Sequence, residues 1–235
     1  MKPILFNTEM VRAILDGRKT VTRRPVKPLE KILKNPEFGY TAFTPKDHIS
    51  VRGEWTDSDC EHRYGENFIK EPYLSGDILY VQEEWAKQQG VYWHKAGLVL
   101  DKEGREPHGT VAPEKWRPSI HMPREAARIF LRVEDVRVEK LQSILPEDGC
   151  LGPSNIQKEG VNKPCTLCIH PDFDCREHIK SWTCDLVSEF VNLWDRTIKP
   201  AERAIYGWDA NPWVWVIEFL RISREEAEQN AKVKN

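Results

Sequence analysis

The sequence predicts an α+β fold in which short strands outnumber helices. About six segments are β-branched or alternate between apolar and polar residues, whereas few segments repeat apolar residues at helical spacing. Strands occur near both ends of the chain, and one long alternating strand comes late. This arrangement favours a small mixed β-barrel with flanking helices.

The first elements place a basic segment at a junction between a helix and a strand. KPILF predicts a short strand, and Asn7 or Thr8 can cap the amphipathic helix that follows it. Gly17 predicts the end of that helix. VTRRP, closed by Pro25, then predicts a second strand.

The remaining elements follow a long, weakly patterned stretch. Between residues 27 and 75 the chain is rich in proline, glycine and charge, which predicts loops with one short hairpin near 49–55. Beyond it we predict a buried strand ILYVQEEW, a hairpin VYWHKAGLVL split at Gly97, a long strand ARIFLRVEDVRVEKL with a bulge or tight turn at Glu134–Asp135, a helix LVSEFVNLWDRTI, a closing strand WVWVIEFLRI and a polar helix or frayed end SREEAEQNAKVKN.

The composition excludes a general attraction to nucleic acid. The 235 residues carry a net charge of −2, so any anion site must be a local patch. No window approaches the length of apolar sequence that a membrane-spanning helix needs. The first residues lack the tripartite pattern of a secretory signal, and we therefore expect a cytoplasmic protein without membrane contact.

The most informative segment is GRKTVTRR, with two threonines threaded between cations. A threonine hydroxyl is a nucleophile only when a base takes its proton, and Lys19 can be that base only if burial and neighbouring arginines lower its pKa. The arginines would then stabilise a developing oxyanion. The alternative is a basic strand edge that grips phosphate groups with a salt-dependent affinity.

Other side chains can complete a ligand site. Trp85, just beyond a predicted strand, is a candidate for stacking on an unpaired base, although a tryptophan in a small barrel is more often part of the core. Arg117 and His121 surround a proline-bracketed loop that is either a ligand contact or plain surface. Glu83 and Glu84 are each either an acid in the cleft or an ordinary solvated charge, and we expect one of the two to be solvated.

Three sequence blocks, in this order, resemble an ASCH domain, a PUA-like β-barrel. They are GRKTVTRR after an amphipathic helix, GDILYVQEEW, and VWVIEF near the end. The longer segments WRPSIHMPREAARIFLRVEDVRVEKL and YGWDANPWVWVIEFLRI are similar to ASCH proteins of phages and prophages. The resemblance implies a barrel formed by residues 1–149 and 186–222, an insertion at 150–185 and a polar tail at 223–235.

The resemblance also implies a cleft that faces nucleic acid or a modified nucleoside. Small bacterial members hydrolyse N4-acetylcytidine to cytidine and acetate, using a lysine and a threonine of the basic motif. By position these are Lys19 and Thr22, and the last arginine of the motif is Arg24. The candidate ligand-binding residues are Arg18, Arg23, Arg24, Trp85, Arg117 and His121.

The catalytic glutamate of that family has three possible positions in this chain. An ungapped match places Gly152 there, which has no carboxylate. A short insertion brings Glu159 into register, because KEGV is similar to the corresponding family segment. Glu147 is the third possibility. We take Glu159 as the candidate.

Four cysteines within twenty residues predict a metal site. Cys165 and Cys168 have the spacing that lets two thiolates bind one ion, and Cys175 and Cys184 complete a tetrahedral set. One of these thiolates can be replaced by a nearby side chain: His170, His178 or Cys150. Zinc in a structural role is the expectation, with an iron–sulfur cluster second. The alternative is a set of reduced, free thiols in a flexible loop.

The predicted function is recognition of RNA or of a modified nucleoside, and its enzymatic form is hydrolysis of an N4-acylated cytosine. An alternative of a different class is a phage accessory or adaptor protein that contacts a host protein and catalyses nothing. These hypotheses differ in salt dependence and in turnover of a free nucleoside.

Overall fold

The structure is a computed structural model that describes residues 1–27, 71–97, 112–145, 155–161 and 184–233, together with the backbone of three strands between residues 39 and 69. The strands, numbered in chain order, are β1 (Lys2–Leu5), β2 (Val21–Pro25), β3 (Gly39–Phe43), β4 (Ile49–Thr56), β5 (His62–Ile69), β6 (Ile78–Gln82), β7 (Trp85–Gln88), β8 (Val91–His94), β9 (Phe130–Lys140) and β10 (Trp213–Ile222). The α-helices are α1 (Thr8–Leu15), α2 (Asn155–Lys158), α3 (Asp185–Thr197), α4 (Arg203–Tyr206) and α5 (Arg224–Val233). The predicted α+β class is confirmed.

The main sheet has five strands in the order β1-β6-β9-β10-β2. β1 and β6 are parallel, and the other neighbours are antiparallel. β1 and β2 are the edges of this sheet, and within the described residues no ladder joins them. Closure into a barrel therefore stays a prediction.

The two long strands confirm the predicted irregularity. The register between β9 and β10 shifts at Glu218 and Phe219, where Asp135 and Val133 are the consecutive partners and Glu134 is left over. This is a β-bulge in β9. The sequence signalled it because the alternation of apolar residues changes phase at the same place.

The structure differs from two local predictions. The hairpin after β6 turns at Gln89 and Gly90, which both have positive φ, so VYWH forms its second strand, β8. The second half of the predicted hairpin, after Gly97, lies outside the described residues. A two-residue turn with positive φ matches the twist of antiparallel strands. Between residues 39 and 69 the chain forms the three-stranded sheet β3-β4-β5 instead of one hairpin, because backbone pairing overrides a weak apolar pattern.

Apolar residues cover both faces of the main sheet. Along β10, Trp215, Ile217 and Phe219 belong to the cluster that contains α1 residues. Val214 and Val216 alternate with them and belong to the cluster that contains α3 residues. The sheet is thus a middle layer between helices. The edge strand β2 lies between the two apolar clusters.

Helix α1 ends where the basic segment begins. The Asn7 side chain accepts a hydrogen bond from the backbone N–H of Met10 at its start. Gly17 adopts φ of +73° just after its end, a conformation that glycine adopts without strain. The turn sends the chain directly into β2. No helix in the described ranges is long and apolar enough to cross a membrane.

We expect Leu131→Ala to lower the free energy of unfolding by about 2–5 kcal/mol, because it opens a cavity at the buried start of β9. Leu220→Ala is the matched control, since Leu220 is exposed on β10, and its cost should be within about 0.5 kcal/mol. Urea denaturation of both variants measures the difference. Equal effects would contradict the assignment of the core.

Candidate active site

A buried ion pair lies at the edge of the main sheet. The Nζ atom of Lys19 is 2.6 Å from Oε2 of Glu159, and the side chains are 0 % and 5 % exposed. Isolated charges are rarely buried in this way, because removing each from water is costly unless it is paired. The structure thus brings together two of the three predicted catalytic residues.

Backbone contacts hold the two partners together although they are 140 residues apart in sequence. Lys19 and Glu159 form an antiparallel bridge, and the Thr20 N–H donates to the Lys158 carbonyl at 2.9 Å. Gly160 follows with φ of +90° and lies against Ala13. The ion pair is therefore fixed by the main chain.

The Lys19 ammonium donates to three acceptors. They are Oε2 and the backbone carbonyl of Glu159, the latter at 2.9 Å, and the Val21 carbonyl at 2.7 Å. Three acceptors match the three N–H groups of a charged lysine. The contact with Val21 also places the ammonium at the peptide that leads into Thr22.

Burial lowers the pKa of Lys19 below its ordinary value, because a charged amine is poorly solvated in the interior. Glu159 opposes this effect through its charge and hydrogen bond, whereas Arg24 and Arg23 reinforce it by repulsion. The proton on Lys19 is consequently held less tightly than on an exposed lysine.

Arg23 contacts the other side of the same carboxylate. Its Nη1 atom donates to Oε1 of Glu159 at 2.8 Å, and Nη2 lies 3.6 Å from a carboxylate oxygen of Glu139. The Nε atom of Arg23 is buried and has no hydrogen-bond partner within the described ranges. Both oxygens of Glu159 are therefore held by cations.

Thr22, the third predicted catalytic residue, is 1 % exposed. Because side chains alternate along a strand, Thr22 and Arg24 share one face of β2 and Arg23 lies on the other. Arg24 donates to the Leu5 carbonyl at 2.6 Å and lies 5.3 Å from the centre of the Phe6 ring. The Nζ atom of Lys19 is 5.9 Å from the same ring.

A cleft of about 490 Å³ between α1 and α3 reaches Glu159, whereas Lys19 and Thr22 lie behind it and are not among the residues that line the cleft. Glu159 and Gly160 line it, together with Arg18 and apolar residues of both helices. Arg18 donates to the Gly160 carbonyl at 2.7 Å and to Asp16 at 2.9 Å. This volume is within the range of small-molecule sites.

The other predicted ligand residues form a separate contact. Trp85 is 4 % exposed, and the Arg117 guanidinium lies 5.1 Å from the centre of its ring. Their backbones form a bridge, while His121 is exposed nearby in the chain. No hydrogen bond or ion pair in the described ranges links these three residues to Lys19. Stacking on Trp85 requires its ring to be uncovered, and the role stays a prediction.

The neighbouring acids have different surroundings. Glu83 is fully buried and accepts two hydrogen bonds from Arg128, both at 2.9 Å. Glu84 is the more exposed of the two, and it is bound by Thr8 and Lys95. Glu84 is thus the partly solvated member of the pair, a choice that the spacing of the two residues alone does not indicate.

Most of the predicted metal site lies outside the described residues. This applies to Cys165, Cys168 and Cys175, and likewise to the alternative glutamate positions at 147 and 152. Cys184 is fully buried at the start of α3 and belongs to an apolar cluster. No group of three potential ligands occurs among the residues described. Zinc stays a prediction.

Comparison of the chain with models of known protein families, with curated proteins and with solved structures found no match. The resemblance to ASCH domains therefore rests on the three sequence blocks alone. The observations that bear on function are those blocks and the contacts of the residues around Lys19.

Sequence reasoning missed one charged residue of this site. Glu139 is near the end of β9 and contacts Arg23 from two strands away. The residues around Glu139 alternate between apolar and charged, as in many strands, and do not mark it as a site residue. The order and register of β9, β10 and β2 bring it close to Arg23. A correct pairing of these strands is the signal that would have found it.

We expect Gly160→Ala to destabilise the protein more than Gly90→Ala. Both glycines have positive φ, but an added Cβ at Gly160 would lie 2.7 Å from Ala13 and 3.2 Å from Lys19, whereas Gly90 has open space. Backbone strain alone costs about 1–2 kcal/mol, and the collision adds about 1–3 kcal/mol. Thermal denaturation compares the two, and equal losses would argue against this close approach.

Proposed function

We propose that the chain is an ASCH-type domain that binds a modified nucleoside and hydrolyses the amide of an N4-acylated cytosine. The observation that carries the proposal is the buried Lys19–Glu159 pair, whose ammonium also donates to the carbonyl of Val21, the residue before Thr22. The family resemblance implies the same three residue types at the same positions of its motif. We further propose the PUA-like barrel that this resemblance implies, and a cytoplasmic setting.

The energetic argument concerns why these charges are buried at all. A buried ion pair seldom adds stability, since the loss of hydration offsets most of the attraction between the charges. Titratable groups with shifted pKa values, grouped beside a cleft, are instead typical of active sites. Lys19 meets this description, because burial lowers its pKa and Glu159 opens to the cleft.

The proposed reaction uses Lys19 and Glu159 to move a proton. A water molecule adds to the acyl carbon while the neutral amine of Lys19 takes its proton, and Glu159 stabilises the resulting ammonium. The Thr22 hydroxyl donates to the oxygen on which negative charge develops. The C–N4 bond then breaks, N4 takes the proton from Lys19, and the products are cytidine and a carboxylic acid that ionises.

The engagement of the other cations favours a small ligand over a phosphate backbone. Lys19 and Arg23 are buried, and Arg24 is bound to the Leu5 carbonyl. Arg18 is paired with Asp16, and Lys27 with Glu202 at 3.0 Å. Because each of these cations already contacts a group of its own chain, few positive charges of the segment remain to neutralise phosphates.

Turnover of N4-acetylcytidine, followed by chromatography, tests the proposal. We expect the wild-type protein to release cytidine, and Lys19→Met or Glu159→Gln to lower kcat by about 100-fold or more, because each removes a partner in proton transfer. Lys2→Met is the matched control, since Lys2 is an exposed lysine paired with Asp77, and it should keep full activity.

An inactive wild-type protein would contradict the proposed hydrolysis. Salt-dependent binding of RNA in that case would support nucleic-acid recognition instead. Failure of both assays would favour the adaptor hypothesis, in which a host protein is the partner.

We also propose that residues 150–185 form an insertion held by zinc through Cys165, Cys168, Cys175 and Cys184. Mass spectrometry of the denatured protein should find about one zinc ion per chain. The double change Cys165→Ser and Cys168→Ser should abolish it, because two of four thiolates are lost. Cys60→Ser, outside the cluster, should retain the ion. A metal-free wild-type protein would refute the insertion's metal site.

A further inference from the structure

The buried ion pair is one end of a longer row of charges. Glu159 contacts Arg23, and Arg23 lies 3.6 Å from Oε2 of Glu139. The other oxygen of Glu139 accepts a hydrogen bond from Arg137 at 2.6 Å. Alternating signs therefore run from Lys19 in the interior to Arg137, which is 37 % exposed.

Strand register explains how this row forms. Val216 on β10 pairs with Arg23 on one side and with Arg137 on the other, so the three residues share one face of the sheet. Glu139 lies two residues beyond Arg137 on the same face. Its carboxylate thus lies between two arginines whose strands flank Val216.

Charge balance gives Glu139 a specific task. Without it, Arg23 and Lys19 are two buried cations that share the single carboxylate of Glu159. Arg137 has two further carboxylate partners, Asp135 and Glu218. It therefore remains paired if Glu139 is changed. Arg23 would keep one ion-pair partner in the described ranges, Glu159, and would share that carboxylate with Lys19.

We propose that Glu139 is a positioning residue: it holds the guanidinium of Arg23 so that Glu159 keeps its other oxygen on Lys19. We call the pair Glu139–Arg23 the clamp. The effect of the clamp on turnover rests on the proposed hydrolysis, whereas its effect on Lys19 does not.

The charged groups that face Lys19 set the direction of the effect. They are Glu159 after α2, and Arg23 and Arg24 on β2; Glu139 on β9 acts through Arg23. Removing the Glu139 charge takes away an attraction for the Lys19 ammonium. It also lets Arg23 draw Glu159 away from Lys19. Both changes favour the neutral amine, so the pKa of Lys19 falls further below its ordinary value.

The test is a titration of Lys19 by NMR in protein labelled at the lysine side-chain carbons, without substrate. Glu139→Gln should lower the Lys19 midpoint by at least about 0.5 pH units. In the turnover assay, kcat should fall about tenfold, because the displaced Glu159 no longer stabilises the ammonium that forms when Lys19 takes the proton, while KM stays unchanged because the clamp contacts no substrate. Glu134→Gln is the matched control: Glu134 is also on β9 and pairs with an arginine, Arg132, yet should change neither quantity.

A further variant keeps the test decisive if Glu139→Gln does not fold. Glu139→Asp retains the charge but withdraws it from Arg23, and it should shift the Lys19 midpoint in the same direction by a smaller amount. An unchanged Lys19 midpoint in the folded variants would overturn the clamp, even if the wild-type protein hydrolyses N4-acetylcytidine. A lowered midpoint in a protein without turnover would support the clamp and count only against the proposed reaction.

Discussion

The neutralisation of two buried cations by Glu159 is the contact on which the rest of the structure around β2 depends. Lys19 lies just before the edge strand β2 and Arg23 lies on it, and both are buried where water does not compensate their charge. One carboxylate meets both, at 2.6 and 2.8 Å. The short helix α2 and the close approach of Gly160 to Ala13 deliver that carboxylate.

Such an arrangement lowers the free energy of unfolding but makes Lys19 easier to deprotonate. Apolar side chains in the same places would cost no hydration, and replacing buried ion pairs with them is often neutral or stabilising. In return, a lysine that is removed from water, and whose charge is only partly neutralised by a carboxylate, loses its proton at a lower pH than an exposed lysine does. The main-chain bridge between Lys19 and Glu159 keeps the geometry fixed through that change.

Local structure near the N-terminus could be predicted from sequence, because each signal there acts over a few residues. The cap at Asn7, the helix end at Gly17 and the strand VTRRP are examples. Long-range pairing could not. The resemblance to the family motif left three positions for the glutamate, and the backbone contacts of Lys19 and Thr20 with residues 158–159 bring Glu159 beside Lys19. Glu139 was hidden for the same reason, since strand order decides its neighbours.

The separation of the two partners along the chain has a consequence for biosynthesis. Lys19 precedes Glu159 by 140 residues, and at about 5–20 residues per second the ribosome needs roughly 7–28 s to span them. During that time the nascent segment carries two cations without their counter-charge. The charges at this edge of the sheet can be buried only after Glu159 has been synthesised. The order of synthesis therefore makes this region one of the last to fold.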